Sequence, residues 1–206
     1  MKSVASAEVY GIVPASGFSR RMGKQKLLLS WQNTPLLEHV LTTAQNSSLR
    51  EVLSIIPAGD EECSRINKQS NCHTVYNDNP ERGIGYSLAL GVKQIPRTAD
   101  AVIILLGDQP ELKRDDIENV ILRYQDLLEN QSDSKVIIQT QYTDNKVGHP
   151  ILFSKHFFSD ISQLDGDRGG NSIITSNLKY KSLVESKHAY PDDIDTIEDF
   201  NRLLDR

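Results

Sequence analysis

The chain has 206 residues, with 23 Lys plus Arg against 28 Asp plus Glu and a formal net charge of −5. That balance excludes the broad basic surface that nucleic-acid binding requires, so a polyanionic ligand has to be held by a local basic cluster. Apolar residues at 38% and charged residues at 25% describe a globular rather than a disordered chain, long enough to bury a sizeable core.

Met1 to Glu8 holds no apolar stretch of signal-peptide length. No run in the chain approaches the ~20 apolar residues of a membrane span, so the expected location is the cytoplasm, with no membrane partner. Val9 to Val13 is a short β-branched run ending at Pro14, which reads as a buried first strand. A loop rich in Gly, Ser and Arg follows, from Ala15 to Gln25. Leu37, Val40, Leu41 and Ala44 then mark one face of a helix. Thr34 before Pro35 predicts its N-cap and first-turn proline.

Val52 to Pro57 predicts a second strand, Glu61 to Gln69 a polar helix, and Thr74 to Tyr76 part of a short third strand. Cys63 and Cys72 match no common zinc spacing, and two unpaired thiols suit a cytosolic chain better than a disulfide. Tyr86 to Ile95 predicts a helix with Leu88, Val92 and Ile95 inward. Ala101 to Leu106 is the most apolar run and reads as a central strand buried on both faces. Ile117, Val120, Ile121, Tyr124, Leu127 and Leu128 mark a long amphipathic helix, and Val136 to Ile138 a strand. The last third is less regular: Pro150 to Phe153, a glycine-rich turn at Gly166 to Gly170, and a closing helix from Ile197 behind a Thr196-x-x-Asp199 capping pattern.

Strands alternating with helical patterns predict one α/β domain over residues 1–206, three-layered and Rossmann-like, with a mostly parallel sheet. Such sheets bind ligands at the carboxyl ends of their strands. Three places qualify: the loop after the first strand, Asp108 after the central strand, and the end of the last strand near Asp195.

In the first loop, four of the seven residues from Arg20 to Lys26 are basic in a chain that is acidic overall. Gly17 and Gly23 let the backbone come close to a ligand, and Arg21 and Lys26 can reach phosphate oxygens. The plain alternative is a solvated basic loop. Neither a P-loop G-x-x-x-x-G-K-[ST] nor a G-x-G-x-x-G follows the strand. Asp108, straight after the apolar run and Gly107, is hard to explain as packing. It could cap the turn at Pro110 or serve as a hard oxygen ligand for Mg²⁺.

Ala15-x-Gly17-x-Ser19-x-Arg21-Met22-Gly23-x-x-Lys26, continued by Lys26-Leu27-Leu28-Leu29 and Pro35-Leu36-Leu37-Glu38-His39-Val40, resembles the signature loop of MobA-like NTP transferases. The match runs nearest to the cytidylyltransferase branch that acts on molybdenum cofactor. Gly107-Asp108-Gln109-Pro110 and Asp193-Ile194-Asp195-Thr196-Ile197-Glu198-Asp199 resemble that family's two acidic motifs. The resemblance implies a glycosyltransferase-A-like nucleotidyltransferase fold, with Mg²⁺ on Asp108 and Asp195 and Lys26 and Arg21 as the catalytic cations. It implies a nucleotide-binding set of Ala15, Ser16, Gly17, Ser19, Arg21, Lys26, Gly83, Ser87 and Gln109.

Gly83-Ile84-Gly85-Tyr86-Ser87-Leu88 resembles a segment beside base and sugar, although two glycines before a helix are also an ordinary turn. Gly148-His149-Pro150 resembles a segment on the acceptor side, where His149 is not read as a base. Gly166-Asp167-Arg168-Gly169-Gly170-Asn171 follows a family pattern with Asn171 where arginine is usual. The implied activity is transfer of CMP from CTP to a molybdenum-bearing molybdopterin with release of pyrophosphate, with a molybdoenzyme as a possible partner. The alternatives are another NTP or a sugar or alcohol phosphate acceptor on the same fold, or a non-catalytic nucleotide-binding chaperone of a molybdoenzyme.

Overall fold

The computed structural model describes residues 7–17, 25–130 and 134–206. In chain order the elements are β1 (Val9–Pro14), β2 (Ser30–Trp31), β3 (Thr34–Pro35), α1 (Leu36–Gln45), β4 (Val52–Pro57), α2 (Glu61–Gln69), β5 (His73–Asn77), α3 (Gly83–Gln94) and β6 (Ala101–Ile104). They continue with α4 (Arg114–Asn130), β7 (Ile137–Gln141), β8 (Val147–Ser154), α5 (Phe158–Ile161), α6 (Asn171–Ser176), β9 (Lys181–Glu185) and α7 (Ile197–Leu204). Among the described residues seven strands form one sheet in the order β5-β4-β1-β6-β8-β7-β9. Only β8 runs against its neighbours; every other pairing in that sheet is parallel.

Because side chains alternate along a strand, the apolar runs feed two cores. Val9, Val13, Val52, Ile56, Ala101 and Ile103 face α1, α2 and α4 on one side, meeting Leu37, Leu41, Ile66, Ile117 and Tyr124. Ile12, Leu53, Ile55, Val102, Ile104 and Phe153 face α3, α5 and α6 on the other, meeting Leu88, Ile161 and Ile174. This is the three-layer arrangement read from the sequence. Burying a side chain of this size contributes about 1.5–3 kcal/mol, so β1 and β6, covered on both faces, are the best-anchored part of the sheet. Their carboxyl ends carry the site.

Three local readings need correction. Thr34 does not cap α1: it pairs with Trp31 in the small β2–β3 ribbon, and Pro35 holds the N-cap position without a side-chain bond. The first helical donor, Leu36 N–H, goes to the Leu29 carbonyl at 3.0 Å instead, so no hydroxyl is needed there. α3 begins at Gly83 rather than Tyr86, which puts both glycines of Gly83-Ile84-Gly85 inside its first turn. Pro150 to Phe153 is not irregular but the buried half of β8, held between β6 and β7.

Both cysteines are unpaired, Cys63 buried and Cys72 half-buried. Among the described residues no helix is long and apolar enough to cross a membrane.

Candidate active site

The chain leaves β6 through Leu105, whose N–H still bonds the Ile12 carbonyl at 3.0 Å. Asp108 therefore emerges level with the end of β1. Lys26 opens a single 3₁₀ turn, Lys26–Leu28, anchored by the buried Leu27. The third member comes from far along the chain. Asp195 does not stand at the end of the last strand, as the sequence suggested; β9 ends at Glu185. It lies in the irregular stretch before α7, which returns to the sheet edge because Ile194 N–H bonds the Asp108 carbonyl at 3.0 Å. Ile194 itself is buried with Leu36, Phe200 and Leu203.

The result is one ammonium between two carboxylates. Lys26 Nζ lies 2.6 Å from Asp108 Oδ2 and 2.8 Å from Asp195 Oδ1. Burial alone would lower the Lys26 pKa, but the charges and hydrogen bonds of Asp108 and Asp195 outweigh it and hold it above its ordinary value. The amine is charged at any physiological pH. Asp193, two residues before Asp195, is pushed up to about 6, first by burial and then by the Asp108 charge, against a hydrogen bond from Gln109.

Cavities flank this triad on both sides. One, of about 140 Å³, is lined by Ser16, Gly17, Lys26, Gly83, Ser87 and Asp108 among others. The second, of about 630 Å³, is lined by Lys146, Tyr190, Asp193, Asp195, Asp199 and Arg202 among others. In the smaller cavity Ser16 and Ser87, both nearly fully buried, join hydroxyl to hydroxyl at 2.7 Å. Asn77 Nδ2 donates to Ser16 Oγ at 2.9 Å and to Ser87 Oγ at 3.3 Å. Sequence reasoning missed Asn77; the signal was a lone amide closing a strand on the same edge as the other site residues.

Gly83 and Gly85 are glycines for a packing reason. A Cβ on Gly83, whose φ is +83°, would lie 2.3 Å from Asp167 Oδ1, and one on Gly85 would lie 2.9 Å from the Gly166 carbonyl oxygen. The 165–167 turn rests directly on the start of α3.

Of the nucleotide-binding residues read from the sequence, Ser16, Gly17, Lys26, Gly83 and Ser87 share one cavity wall. Ser19 and Arg21 lie outside the described residues. Ala15 is buried, and its N–H is taken by the Ile55 carbonyl at 2.8 Å. Gln109 departs furthest from expectation. It is fully buried, and its amide faces residues 190–193 rather than either cavity. His149 is half-buried, and burial holds its imidazole down at about 4, neutral at pH 7.

Among the described residues no group of three or more His, Cys, Asp or Glu could hold a metal alone. Asp108 and Asp195 nevertheless converge on one cation, the Lys26 ammonium. Two carboxylates, completed by waters and phosphate oxygens, are the set Mg²⁺ favours. The donor set fits a hard divalent ion that arrives with a phosphate ligand.

The profile of the MobA-like NTP transferase domain matches residues 11–183. The chain is 29% identical over 208 residues to the purine catabolism protein PucB of Bacillus subtilis (strain 168), covering 95% of this chain and 96% of that protein. It is 24% identical to the molybdenum cofactor cytidylyltransferase of Escherichia coli (strain K12), covering 92% of each. Among solved structures, the Mycobacterium sp. strain JC1 homologue of Mycobacterium tuberculosis Rv0371c superposes with a TM-score of 0.82 at 27% identity, over 96% of this chain and 95% of that one. Rv0371c itself, solved in complex with manganese, shares the fold with a TM-score of 0.75 at 22% identity, over 98% of this chain and 100% of that one.

Proposed function

Since the chain belongs to the MobA-like NTP transferase domain family and is a nucleotidyltransferase of that kind, we propose that it transfers CMP from CTP to a molybdenum-bearing molybdopterin, with Mg²⁺ and release of pyrophosphate. The observation that carries this reading is the bridge from Lys26 to Asp108 and Asp195, at 2.6 and 2.8 Å. Similarity to the molybdenum cofactor cytidylyltransferase supports the choice of nucleotide and acceptor.

In the proposed reaction an acceptor phosphate oxygen attacks the α-phosphorus of CTP. The new P–O bond forms as the bond from that phosphorus to the oxygen bridging the β-phosphate breaks, and pyrophosphate leaves with the electron pair. A phosphate nucleophile is already ionised at neutral pH, so no Ser/His or Cys/His pair is needed. The chain's task is then alignment and neutralisation of charge. Lys26 neutralises phosphate oxygens from its place between the cavities, and Arg21 adds a second cation from the first loop. The Ser16, Gly17, Gly83 and Ser87 wall holds the nucleotide, and the larger cavity beside Asp195 receives the acceptor. Asp108 and Asp195 would hold Mg²⁺, which supplies further neutralisation of the phosphates.

The test is pyrophosphate release from each of the four NTPs with Mg²⁺, offered molybdenum-bearing molybdopterin and a set of sugar and alcohol phosphates. The expected outcome is turnover with CTP and the pterin acceptor, abolished in Asp108→Ala with the fold retained. Preference for another NTP or acceptor would move the chain to a different transferase of this fold. Undiminished turnover in Asp108→Ala would remove the metal-site assignment.

A further inference from the structure

Gln109 is an amide at zero exposure, one residue beyond a proposed metal ligand, with no access to either cavity. Its Nε2 lies 2.9 Å from Asp193 Oδ1, 3.1 Å from the Pro191 carbonyl and 3.0 Å from the Tyr190 hydroxyl. Turning the amide over would set its oxygen against a carbonyl and a carboxylate, so these acceptors fix its orientation. Among the described residues its Oε1 is buried without a hydrogen-bond partner. An apolar side chain of the same shape would avoid that cost, so packing alone does not account for a glutamine here; what the amide adds is its donor side.

Tyr190, the next member, is seated as firmly. Its ring lies against Gly148, where a Cβ would come within 2.5 Å of Tyr190 Cε2, and stands edge-on to Tyr142 at 5.3 Å between centroids. Its hydroxyl also lies 3.4 Å from Asp193 Oδ2. The 190–193 stretch, otherwise irregular, is thus tied to the end of the central strand just before Asp195.

We propose that Gln109 and Tyr190 are positioning residues: together they brace the 190–195 segment against the end of β6 and so set the separation of Asp108 and Asp195 at which a divalent cation is bound. Gln109 reaches neither cavity, whereas the Tyr190 ring also lines the larger one, so Mn²⁺ binding measured without acceptor is the readout that isolates the brace. The inference rests on the metal-dependent transfer reading, and it assigns Gln109 a role distinct from nucleotide binding. Gln109→Met keeps the volume and removes the donors; Tyr190→Phe keeps the ring and removes the hydroxyl.

The direct readout is Mn²⁺ binding followed by electron paramagnetic resonance, with the non-hydrolysable α,β-methylene analogue of CTP present. Gln109→Met is expected to weaken Mn²⁺ binding at least fivefold and Tyr190→Phe to weaken it less, while nucleotide binding in EDTA stays within twofold of the parent. In turnover, kcat falls while the KM for CTP holds. Should Gln109→Met fail to fold, Tyr190→Phe alone decides. Mn²⁺ affinity within twofold of the parent in the folded variants would overturn the brace. Absence of Mn²⁺ binding in the parent protein would instead sink the metal-dependent reading, so the two failures are told apart.

Discussion

Lys26 and Asp108, 82 positions apart, are joined by a 2.6 Å ion pair that is largely shielded from water. Asp195, 169 positions from Lys26, takes the other side of the same ammonium at 2.8 Å. A cation shared by two carboxylates holds them together at a distance they would otherwise resist. The same cation lines the smaller cavity, where the proposed reaction puts phosphate oxygens. Replacing Lys26 by Ala is expected to lower turnover by roughly 10²–10³-fold, the cost typical of losing one charge-stabilising donor. Lys26→Arg should not restore it fully, because a planar fork cannot reproduce a point charge between two carboxylates. Pyrophosphate release under saturating nucleotide checks both, and near-parent rates in Lys26→Ala would end the assignment.

Asp108 and Asp195 invite a double-substitution cycle. If both act through one metal, Asp108→Asn alone already removes most of what the pair provides, and adding Asp195→Asn costs little more. Residues acting as a unit are strongly non-additive. The expected result is a double variant within about tenfold of the worse single variant in kcat. Losses that multiply would mean two independent roles.

How far the site could be read in advance follows from what holds each piece. β1, β4 and β6 are legible because their apolar runs match what they bury, and α1 because Leu37, Val40, Leu41 and Ala44 share its buried face. Lys26 lies in the loop after β1 and Asp108 just beyond β6, on the side of the sheet where the strand-end rule looks, and the structure joins the two. Asp195 was found by motif, but its place was misread, since an irregular stretch has no period to follow. Its return to the sheet depends on Ile194 N–H meeting the Asp108 carbonyl and on the Gln109 amide, both long-range bonds invisible to local pattern. The Thr34 cap failed for a similar reason: Leu29 supplies a backbone acceptor that a hydroxyl would otherwise provide. Gly83 and Gly85 are closely approached by the chain's own 165–167 turn, a long-range contact that the local pattern does not show, while Gly83 also lines the smaller cavity.

The start of α7 couples stability to the site. Thr196 Oγ1 accepts from Asp199 N–H at 3.1 Å, while Asp199 Oδ2 accepts from Thr196 N–H at 2.7 Å and from Asp195 N–H at 3.1 Å. Thr196→Ala removes the cap and is expected to cost about 1 kcal/mol in urea unfolding. Asp199→Ala frees the Asp195 backbone as well, so its loss of turnover should exceed that of Thr196→Ala even where the two are equally stable. Equal turnover at equal stability would show that the capping box serves the helix alone.

His149 sets a pH dependence with a definite sign. Its imidazole is held at about 4 by burial, against 6.5 unfolded. A depressed folded pKa means that the unfolded chain binds the proton first. The stability His149 contributes is therefore fully present above pH 6.5 and lost as pH falls through about 4, amounting to about 3 kcal/mol at most. Asp193, raised to about 6, has the opposite slope: its contribution is present at low pH and is lost as pH rises through about 6. Asp116, also raised by burial, acts in the same direction as Asp193. The raw curve is the sum of these, so the informative quantity is the difference in Tm between the parent and His149→Gln. That difference should shift in favour of the variant as pH is lowered from 7 to 4.5. A difference that stays constant over this range would mean that the His149 proton equilibrium is the same in both states.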